Sequence, residues 1–187
     1  LVLTVDDEEG MRSAISRSLQ NFSASVKDIS ENIPITLSEA ASAEEAKEKI
    51  EKESPHIVLL DQKLPGMSGI ELMEELSQKK QPPLIIMITA YATIETAIQA
   101  TKRGAYDFLP KPFTPDELRS TLRKAVEHVV VSIQARQLET ERRQIRFQFL
   151  SVLAHELKAP LNAVQGYIDV LEGQGTAPGH VRRDMGL

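Results

Sequence analysis

Side chains that can bind a metal ion or a phosphoryl group follow short apolar runs at several separate points of the sequence. They are Asp6, Asp7, Asp61, Thr89 and Lys111. Three carboxylates that converge on one crevice repel each other unless a cation neutralises them. Hard oxygen ligands in this number favour Mg²⁺, which also binds phosphoryl oxygens. A carboxylate held beside that ion can attack phosphorus in line and become an acyl phosphate, while an amine and a hydroxyl stabilise the phosphoryl oxygens.

Each of these residues also has an ordinary structural explanation. Asp6 and Asp7 could cap a helix, and Thr89 could be a plain strand residue. Lys111 could be a solvated charge. Because the five residues follow four separate apolar runs, their joint pattern favours the functional interpretation.

The apolar runs alternate with helical patterns from Leu1 to about Glu117, which is typical of a parallel sheet with crossover helices. The predicted strands are Leu1–Val5, Ile35–Ser38, Ile57–Leu60, Leu84–Ile88 and Tyr106–Leu109. Ligands of such a doubly wound sheet bind outside the carboxyl ends of the strands, where the strand order reverses. We therefore expect an α/β fold of five parallel strands that gathers the reactive side chains at one edge.

Capping boxes predict where three helices begin. They pair Ser42 with Glu45, Ser68 with Glu71, and Thr114 with Glu117, and Pro115 takes the first position of the last helix. The segment Asn21–Pro34 is longer and more polar than a turn needs. We predict that it extends the first helix and then forms a surface loop.

Composition excludes several classes of site. The 187 residues include no cysteine, which rules out disulfides, thiolate metal sites and cysteine nucleophiles. The net charge of -5, with acids and bases interspersed, gives no reason to expect nucleic-acid binding. The longest apolar stretch, from Leu84 to Ala92, is too short to cross a bilayer, and no signal peptide is recognisable, so we expect a cytoplasmic location. The sequence starts on Leu1, inside an apolar run and without an initiator Met, which indicates a segment of a longer protein.

The sequence after Pro115 predicts one long helix, because no β-rich run and no Pro or Gly occurs before Pro160. A seam at heptad spacing runs through Leu122, Val126, Val129, Ile133, Arg136, Thr140, Arg143, Phe147, Leu150, Ala154, Leu157, Leu161, Val164, Ile168 and Leu171. Twelve of these fifteen positions are apolar, which favours a coiled coil that leads into a dimeric helical bundle.

A second apolar stripe repeats every seven residues beside the polar part of this seam. It consists of Val131, Leu138, Ile145 and Val152. Two competing seams indicate either two alternative packings, through which a signal could pass, or a single slightly irregular coiled coil.

Four stretches of the sequence resemble the signature motifs of the response-regulator receiver family, over Leu1 to about His128. They read LVLTVDDEE, VLLDQKLPGMSG, IIMITAY and DFLPKPF. The resemblance implies a flavodoxin-like fold with Asp61 as the phosphoacceptor. It implies that Asp7 and Asp61 bind Mg²⁺ directly and that Asp6 acts mainly through water. The backbone carbonyl of Lys63 would be the remaining protein ligand.

The same resemblance implies two features near the fifth strand. The bond between Lys111 and Pro112 is expected to be cis, which aims the amine into the site. Phe108 matches the aromatic switch position, whose ring turns inward as Thr89 moves toward the phosphoryl group. Phe108 could also be an ordinary core residue, and the two roles are compatible.

A second resemblance lies on the long helix. FLSVLAHELKAPLNAVQGYIDVL, Phe149–Leu171, resembles the first helix of the dimerisation and histidine-phosphotransfer domain of sensor histidine kinases. His155 lies at the flank of the seam, where an exposed imidazole nitrogen can attack the terminal phosphoryl group of ATP. Glu156 can polarise that imidazole as a general base. A zinc protease is excluded, because HExxH would need a second His where Ala159 stands.

Ala159 and Pro160, which follow His155 on the same helix, lead to two further expectations. Pro160 is predicted to kink or loosen the helix one turn past the histidine. Ala159 occupies the position at which related phosphatases often carry Thr or Asn, so we predict weak phosphatase activity.

We divide the chain into a receiver core, 1–117, a helix and coiled-coil linker, 115–146, and a partial dimerisation and phosphotransfer domain, 147–187. The predicted protein is a hybrid histidine kinase whose ATP is bound by a domain absent from this segment. Its expected partners are a second copy of the chain and a phosphodonor histidine kinase or partner receiver. The alternative is a stand-alone response regulator with a coiled-coil output segment and an inert His155. A DNA-binding regulator is disfavoured, because no helix-turn-helix or basic helix follows the receiver pattern.

Overall fold

Five of the strands form one parallel sheet. The computed structural model describes residues 1–26, 32–90 and 101–174. Its strands are β1 (Val2–Val5), β2 (Ser23–Ala24), β3 (Ile33–Pro34), β4 (Leu37–Ala40), β5 (Ile57–Asp61), β6 (Leu84–Thr89) and β7 (Asp107–Pro110). The parallel sheet has the order β4-β1-β5-β6-β7. The chain leaves β1 toward one edge and returns to its other side at β5, so the strand order reverses between these two strands.

Helices cover both faces of the sheet. They are α1 (Glu9–Leu19), α2 (Ala43–Glu53), α3 (Gly69–Ser77) and α4 (Pro115–Gln174). One core cluster joins strand residues to Ile15 of α1 and Leu118 of α4. The opposite cluster joins strand residues to Ile50 of α2 and Leu72 of α3. All residues of β5 are buried because this strand lies between two covered faces.

The structure confirms the predicted α/β class and the long helix that follows the sheet. Four of the five predicted strands lie within one residue of their observed bounds. The second predicted strand, Ile35–Ser38, is observed two residues later, at Leu37–Ala40. Its pairing partner sets this shift, since the ladder aligns Val2 with Leu37 and Val5 with Ala40.

The prediction for Asn21–Pro34 is wrong in its first part, because α1 ends at Leu19 and does not extend into this segment. Gln20 is extended at the end of the helix, and Asn21 has a left-handed φ of 57°. Asn tolerates that conformation better than most residues, and it turns the chain away from the helix. Ser23–Ala24 then pairs antiparallel with Ile33–Pro34. Residues 27–31 of the expected surface loop lie outside the described part of the chain.

The predicted helix starts are confirmed. Ser68 and Glu71 form a complete capping box before α3. Thr114 and Glu117 form the same reciprocal pair before α4, with N–H to oxygen distances of 2.7 and 3.3 Å. At the start of α2, the Ser42 hydroxyl accepts the N–H of Glu45. The Glu45 carboxylate accepts the N–H of Ala41 and not that of Ser42, so the capping box is incomplete.

The chain divides into two compact units, Leu1–Gln134 and Ala135–Leu187. The first, which we call the receiver unit, contains the sheet and its helices. Helix α4 begins in this unit and carries the described part of the second. Pro160 lies inside α4. In the described part of the chain, no helix combines the length and hydropathy that a membrane crossing requires. The three-part division into 1–117, 115–146 and 147–187 stays a prediction.

Candidate functional site

The loop after β1 presents two carboxylates in different environments. Asp6 is completely buried and Asp7 is exposed. The Asp6 carboxylate accepts the backbone N–H of Glu8 at 2.9 Å. Arg12 of α1 donates from Nη1 to the backbone carbonyls of Asp6, at 2.8 Å, and Asp7, at 3.2 Å. These contacts hold the turn that carries both acids. The sequence pattern does not identify Arg12 because its contacts with this turn are to backbone carbonyls.

Strand β5 ends on Asp61, beside the end of β1. The register aligns Val5 with Leu60, so Asp6 and Asp61 are the next residues on neighbouring strands. Asp61 is 6% exposed, and its Oδ1 accepts the N–H of Lys63 at 3.4 Å. Lys63 lies in the loop after β5, and its carbonyl stays a predicted metal ligand.

Gly69, at the first turn of α3, packs against the backbone of Asp61. A Cβ added to Gly69 would lie 2.0 Å from the Asp61 carbonyl oxygen. The N–H of Gly69 donates to the carbonyl of Gln62 at 3.0 Å. A side chain at this position would therefore push the phosphoacceptor candidate out of place. The sequence signal for this contact is the glycine directly after the helix cap Ser68, and the motifs alone did not predict its contact with Asp61.

Lys111 brings the two buried carboxylates into one ion-paired cluster. Its Nζ lies 2.8 Å from Asp6 Oδ2 and 3.1 Å from Asp61 Oδ2. Its side chain is 14% exposed, so water screens these contacts weakly. The Lys111–Pro112 peptide bond is cis, as predicted. The Lys111 N–H donates to the carbonyl of Thr89 at 2.7 Å, which ties the loop after β7 to the end of β6.

Burial and mutual repulsion shift the protonation of this cluster. Burial, with a smaller contribution from the nearby Asp6 charge, raises the pKa of Asp61 above its ordinary value although Lys111 opposes the rise. Burial acts to lower the pKa of Lys111, but the hydrogen bonds to Asp6 and Asp61 and the negative charges of these two residues together outweigh it, and the pKa is raised. The Lys111 amine therefore stays positively charged at neutral pH.

The carboxylates of Asp6, Asp7 and Asp61 form a donor set that fits a divalent cation. One oxygen from each lies within 4.8 Å of the other two. Against the single Lys111 amine, three carboxylates leave two negative charges, which a divalent ion would neutralise. All donors are hard oxygens, the class that Mg²⁺ prefers. This is the kind of acidic pocket at which receiver domains bind Mg²⁺.

Thr89 and Phe108 lie on the strands next to this cluster. Thr89 ends β6, is 5% exposed, and donates its hydroxyl to Oε1 of Gln62 at 2.5 Å. The sequence analysis did not identify Gln62, whose contact with Thr89 joins the loop after β5 to the end of β6. Phe108 lies on β7 and packs, partly buried, against the core beneath α2 and α3. This packing confirms the core role of Phe108, and its switch role stays a prediction.

His155 and Glu156 lie in the second unit, on α4, and both are exposed. Exposure leaves the His155 imidazole accessible to a phosphodonor. The same part of α4 carries exposed apolar side chains, among them Phe147, Leu150, Leu157, Leu161, Val164, Ile168 and Leu171.

Comparisons with known proteins agree with this geometry. Residues 2–123 match the model of the response regulator receiver domain, and residues 145–184 match that of the His Kinase A (phospho-acceptor) domain. The chain therefore belongs to the response regulator receiver family, with a His Kinase A element after the receiver. This combination places it in two-component signalling. Domains of the His Kinase A family typically dimerise, and receivers pair with kinases.

Curated proteins similar to this chain include three regulatory proteins. The chain is 32% identical over 160 residues to the C4-dicarboxylate transport transcriptional regulatory protein DctD of Pseudomonas aeruginosa, covering 86% of this chain and 30% of that protein. It is 29% identical over 184 residues to the response regulator protein PilR of the same organism, covering 98% and 36%. It is 27% identical over 139 residues to the DNA-binding transcriptional regulator NtrC of Escherichia coli, covering 74% and 27%. The chain thus spans between 27% and 36% of the length of these three relatives.

Solved receiver structures share the fold. The receiver domain of NtrX from Brucella abortus superposes with a TM-score of 0.58 at 31% identity, covering 68% of this chain and 98% of that one. The receiver domain of a putative LuxO repressor from Vibrio parahaemolyticus has a TM-score of 0.64 at 24% identity, covering 72% and 95%. The second likeness concerns the fold alone.

Proposed function

We propose that this chain is the receiver and first phosphotransfer helix of a hybrid histidine kinase, in which Asp61 accepts a phosphoryl group and regulates phosphorylation of His155. One observation carries the proposal: Lys111 Nζ contacts Asp6 and Asp61 at the point where the strand order reverses. Asp7 completes the acidic set beside them. A buried acid paired with a lysine, next to acids that can bind a metal, is suited to accept a phosphoryl group.

In the proposed transfer, a carboxylate oxygen of Asp61 attacks the phosphorus of a phosphohistidine. The O–P bond forms as the P–N bond breaks, and the departing imidazole keeps the electron pair and takes a proton from water. Lys111 and the Thr89 hydroxyl donate hydrogen bonds to phosphoryl oxygens. Asp6, Asp7, Asp61 and the Lys63 carbonyl would hold Mg²⁺, whose charge lowers the repulsion between the carboxylate and the phosphoryl group.

The proposed signal leaves the receiver through α4. Phosphorylation of Asp61 shifts Thr89 and Phe108, and the repacking of α4 changes access to His155. Support comes from the extent of the helix, which begins at Pro115 in the receiver unit and includes His155. Glu156 acts as the general base when His155 attacks ATP bound by a separate domain.

The proposed assembly is a homodimer through α4. Phe147 and Leu171 are each 72% exposed, and Leu161 is 65% exposed. Apolar side chains at heptad spacing on one helix are covered when a second copy packs against them.

Phosphorylation of Asp61 is tested with acetyl phosphate and Mg²⁺ on the whole chain. Intact-mass spectrometry should show one added phosphoryl group, which chelation of the metal should prevent. Asp61→Asn should gain none. Asp116→Asn is the matched control, since the Asp116 side chain is 95% exposed, and it should behave as wild type. Equal labelling of Asp61→Asn would disprove the assignment.

Phosphorylation of His155 is tested with ATP and a separately purified histidine-kinase ATP-binding domain. Acid-labile phosphate should appear on the wild type and be lost in His155→Ala. His128→Ala, a second histidine of α4, should keep the label. Equal labelling of wild type and His155→Ala would end the kinase interpretation. The alternative, a response regulator with an inert His155, would then hold, and it is supported by the names of the curated relatives, which are regulators.

A further inference from the structure

The backbone of Gln62, the residue directly after Asp61, makes hydrogen bonds to two neighbouring elements. Its N–H donates to the carbonyl of Ile88 on β6 at 2.9 Å, and its carbonyl accepts the N–H of Gly69 at 3.0 Å. These two hydrogen bonds hold the backbone of Gln62 between β6 and α3. From this position its Oε1 accepts the hydroxyl of Thr89.

The backbone of Thr89 also makes a hydrogen bond to a neighbouring segment. Thr89 is 5% exposed, and its backbone carbonyl accepts the N–H of Lys111 at 2.7 Å. A threonine hydroxyl has one proton and can donate one hydrogen bond at a time. The hydrogen bond to Gln62 therefore uses the same proton that the Thr89 hydroxyl would donate to a phosphoryl oxygen in the proposed transfer.

We propose that Gln62 is a positioning residue that holds the Thr89 hydroxyl in the unphosphorylated receiver, so that phosphorylation of Asp61 must break this hydrogen bond. The inference rests on the proposed function, because the phosphoryl oxygen that competes with Gln62 for the Thr89 hydroxyl is present only when Asp61 is phosphorylated. Gln62 and the phosphoryl group compete for one donor. Gln62 thereby sets how readily the receiver passes to its phosphorylated state.

Replacing the acceptor should favour the phosphorylated state. Gln62→Met keeps the length of the side chain and removes the carbonyl oxygen. With Mg²⁺, it should bind beryllofluoride more tightly than wild type, by about two- to tenfold, the range expected for one net hydrogen bond. Gln62→Met should also melt at a lower temperature than wild type without beryllofluoride, and this difference should shrink when beryllofluoride is bound.

A double-mutant cycle separates this role from general packing. Thr89→Val removes the donor, so Gln62→Met should have no further effect on beryllofluoride affinity in that background. Gln81→Met, an exposed glutamine in the loop before β6, should match wild type in both assays. Isothermal titration calorimetry measures the affinities, and thermal unfolding checks that every variant is folded.

The outcomes distinguish this inference from the proposed function. If wild type binds beryllofluoride and Gln62→Met binds equally, the positioning role is wrong while the receiver function stands. If the effect of Gln62→Met persists beside Thr89→Val, the residue acts through packing and the inference is again wrong. If wild type does not bind at all, the proposed function fails and the inference fails with it.

Discussion

The two units of this chain use their apolar residues in opposite ways. Leu122, on the part of α4 that belongs to the receiver unit, is completely buried against the sheet. Leu161, on the same helix in the second unit, is 65% exposed. Both residues belong to one heptad seam. The comparison teaches that the seam is buried where the receiver unit supplies a sheet, and that its apolar side chains stay exposed in the second unit.

Truncating the two leucines gives the largest expected contrast. Leu122→Ala should lower the free energy of unfolding of the receiver unit by about 2–5 kcal/mol at any protein concentration, because it leaves a cavity in a packed core. Leu161→Ala should leave that unit unchanged and weaken self-association instead. Denaturant unfolding and sedimentation equilibrium measure the two effects. Equal destabilisation of the receiver unit by both variants would remove the distinction between the units.

Two glycines in helices give a second contrast. Gly69→Ala should destabilise the receiver unit by about 1–3 kcal/mol, because its Cβ would overlap the Asp61 backbone. Gly166→Ala, with nothing within 4 Å of the added Cβ, should stabilise α4 by up to about 1 kcal/mol through helix propensity. Denaturant unfolding measures the first, and circular dichroism of the helix measures the second. A stable Gly69→Ala receiver with unchanged beryllofluoride affinity would contradict the close packing at Asp61.

Thr114, which caps the start of α4, and Thr140, within α4, sharpen the comparison further. Thr114→Ala removes the helix cap and should cost about 1 kcal/mol of receiver stability. Thr140→Ala is the matched control, because the Thr140 hydroxyl donates back to the carbonyl of Arg136 within the helix. Such a bond adds little to a helix, so this variant should be close to neutral. Thermal unfolding of both variants, followed in parallel, decides the matter.

The smallest expected effect concerns pH. Hydrogen bonds from the Thr114 backbone and hydroxyl lower the pKa of Glu117. A carboxyl with a lowered pKa in the folded state contributes stability above its unfolded pKa and loses it as pH falls through the folded value. Glu117→Gln should therefore flatten the acid side of the receiver's stability profile. Unfolding free energies compared from about pH 6 to about pH 3 measure this. Parallel profiles for wild type and variant would contradict it.

Much of the fold was predictable because strands and caps leave local signals. The four best predicted strands are apolar runs with a clear polar boundary. The β2–β3 pair was missed because two-residue strands are too short for a periodic pattern. The cis Lys111–Pro112 bond followed from the resemblance and was confirmed. Contacts of Arg12, Gln62 and Gly69 were not predicted, because each depends on backbone or side-chain atoms brought close by the folded chain.

The sequence by itself determined the order of the five sheet strands and the helices along the chain, the reactive residues after these strands and the heptad seam of α4, because these depend on neighbours along the chain. Only the tertiary structure decided that Lys111 Nζ lies between Asp6 and Asp61 and that the Thr89 hydroxyl meets Gln62. The physical reason is register. Val5 pairs with Leu60, and Leu60 with Met87, and a slip of one residue would turn these side chains to the other face of the sheet.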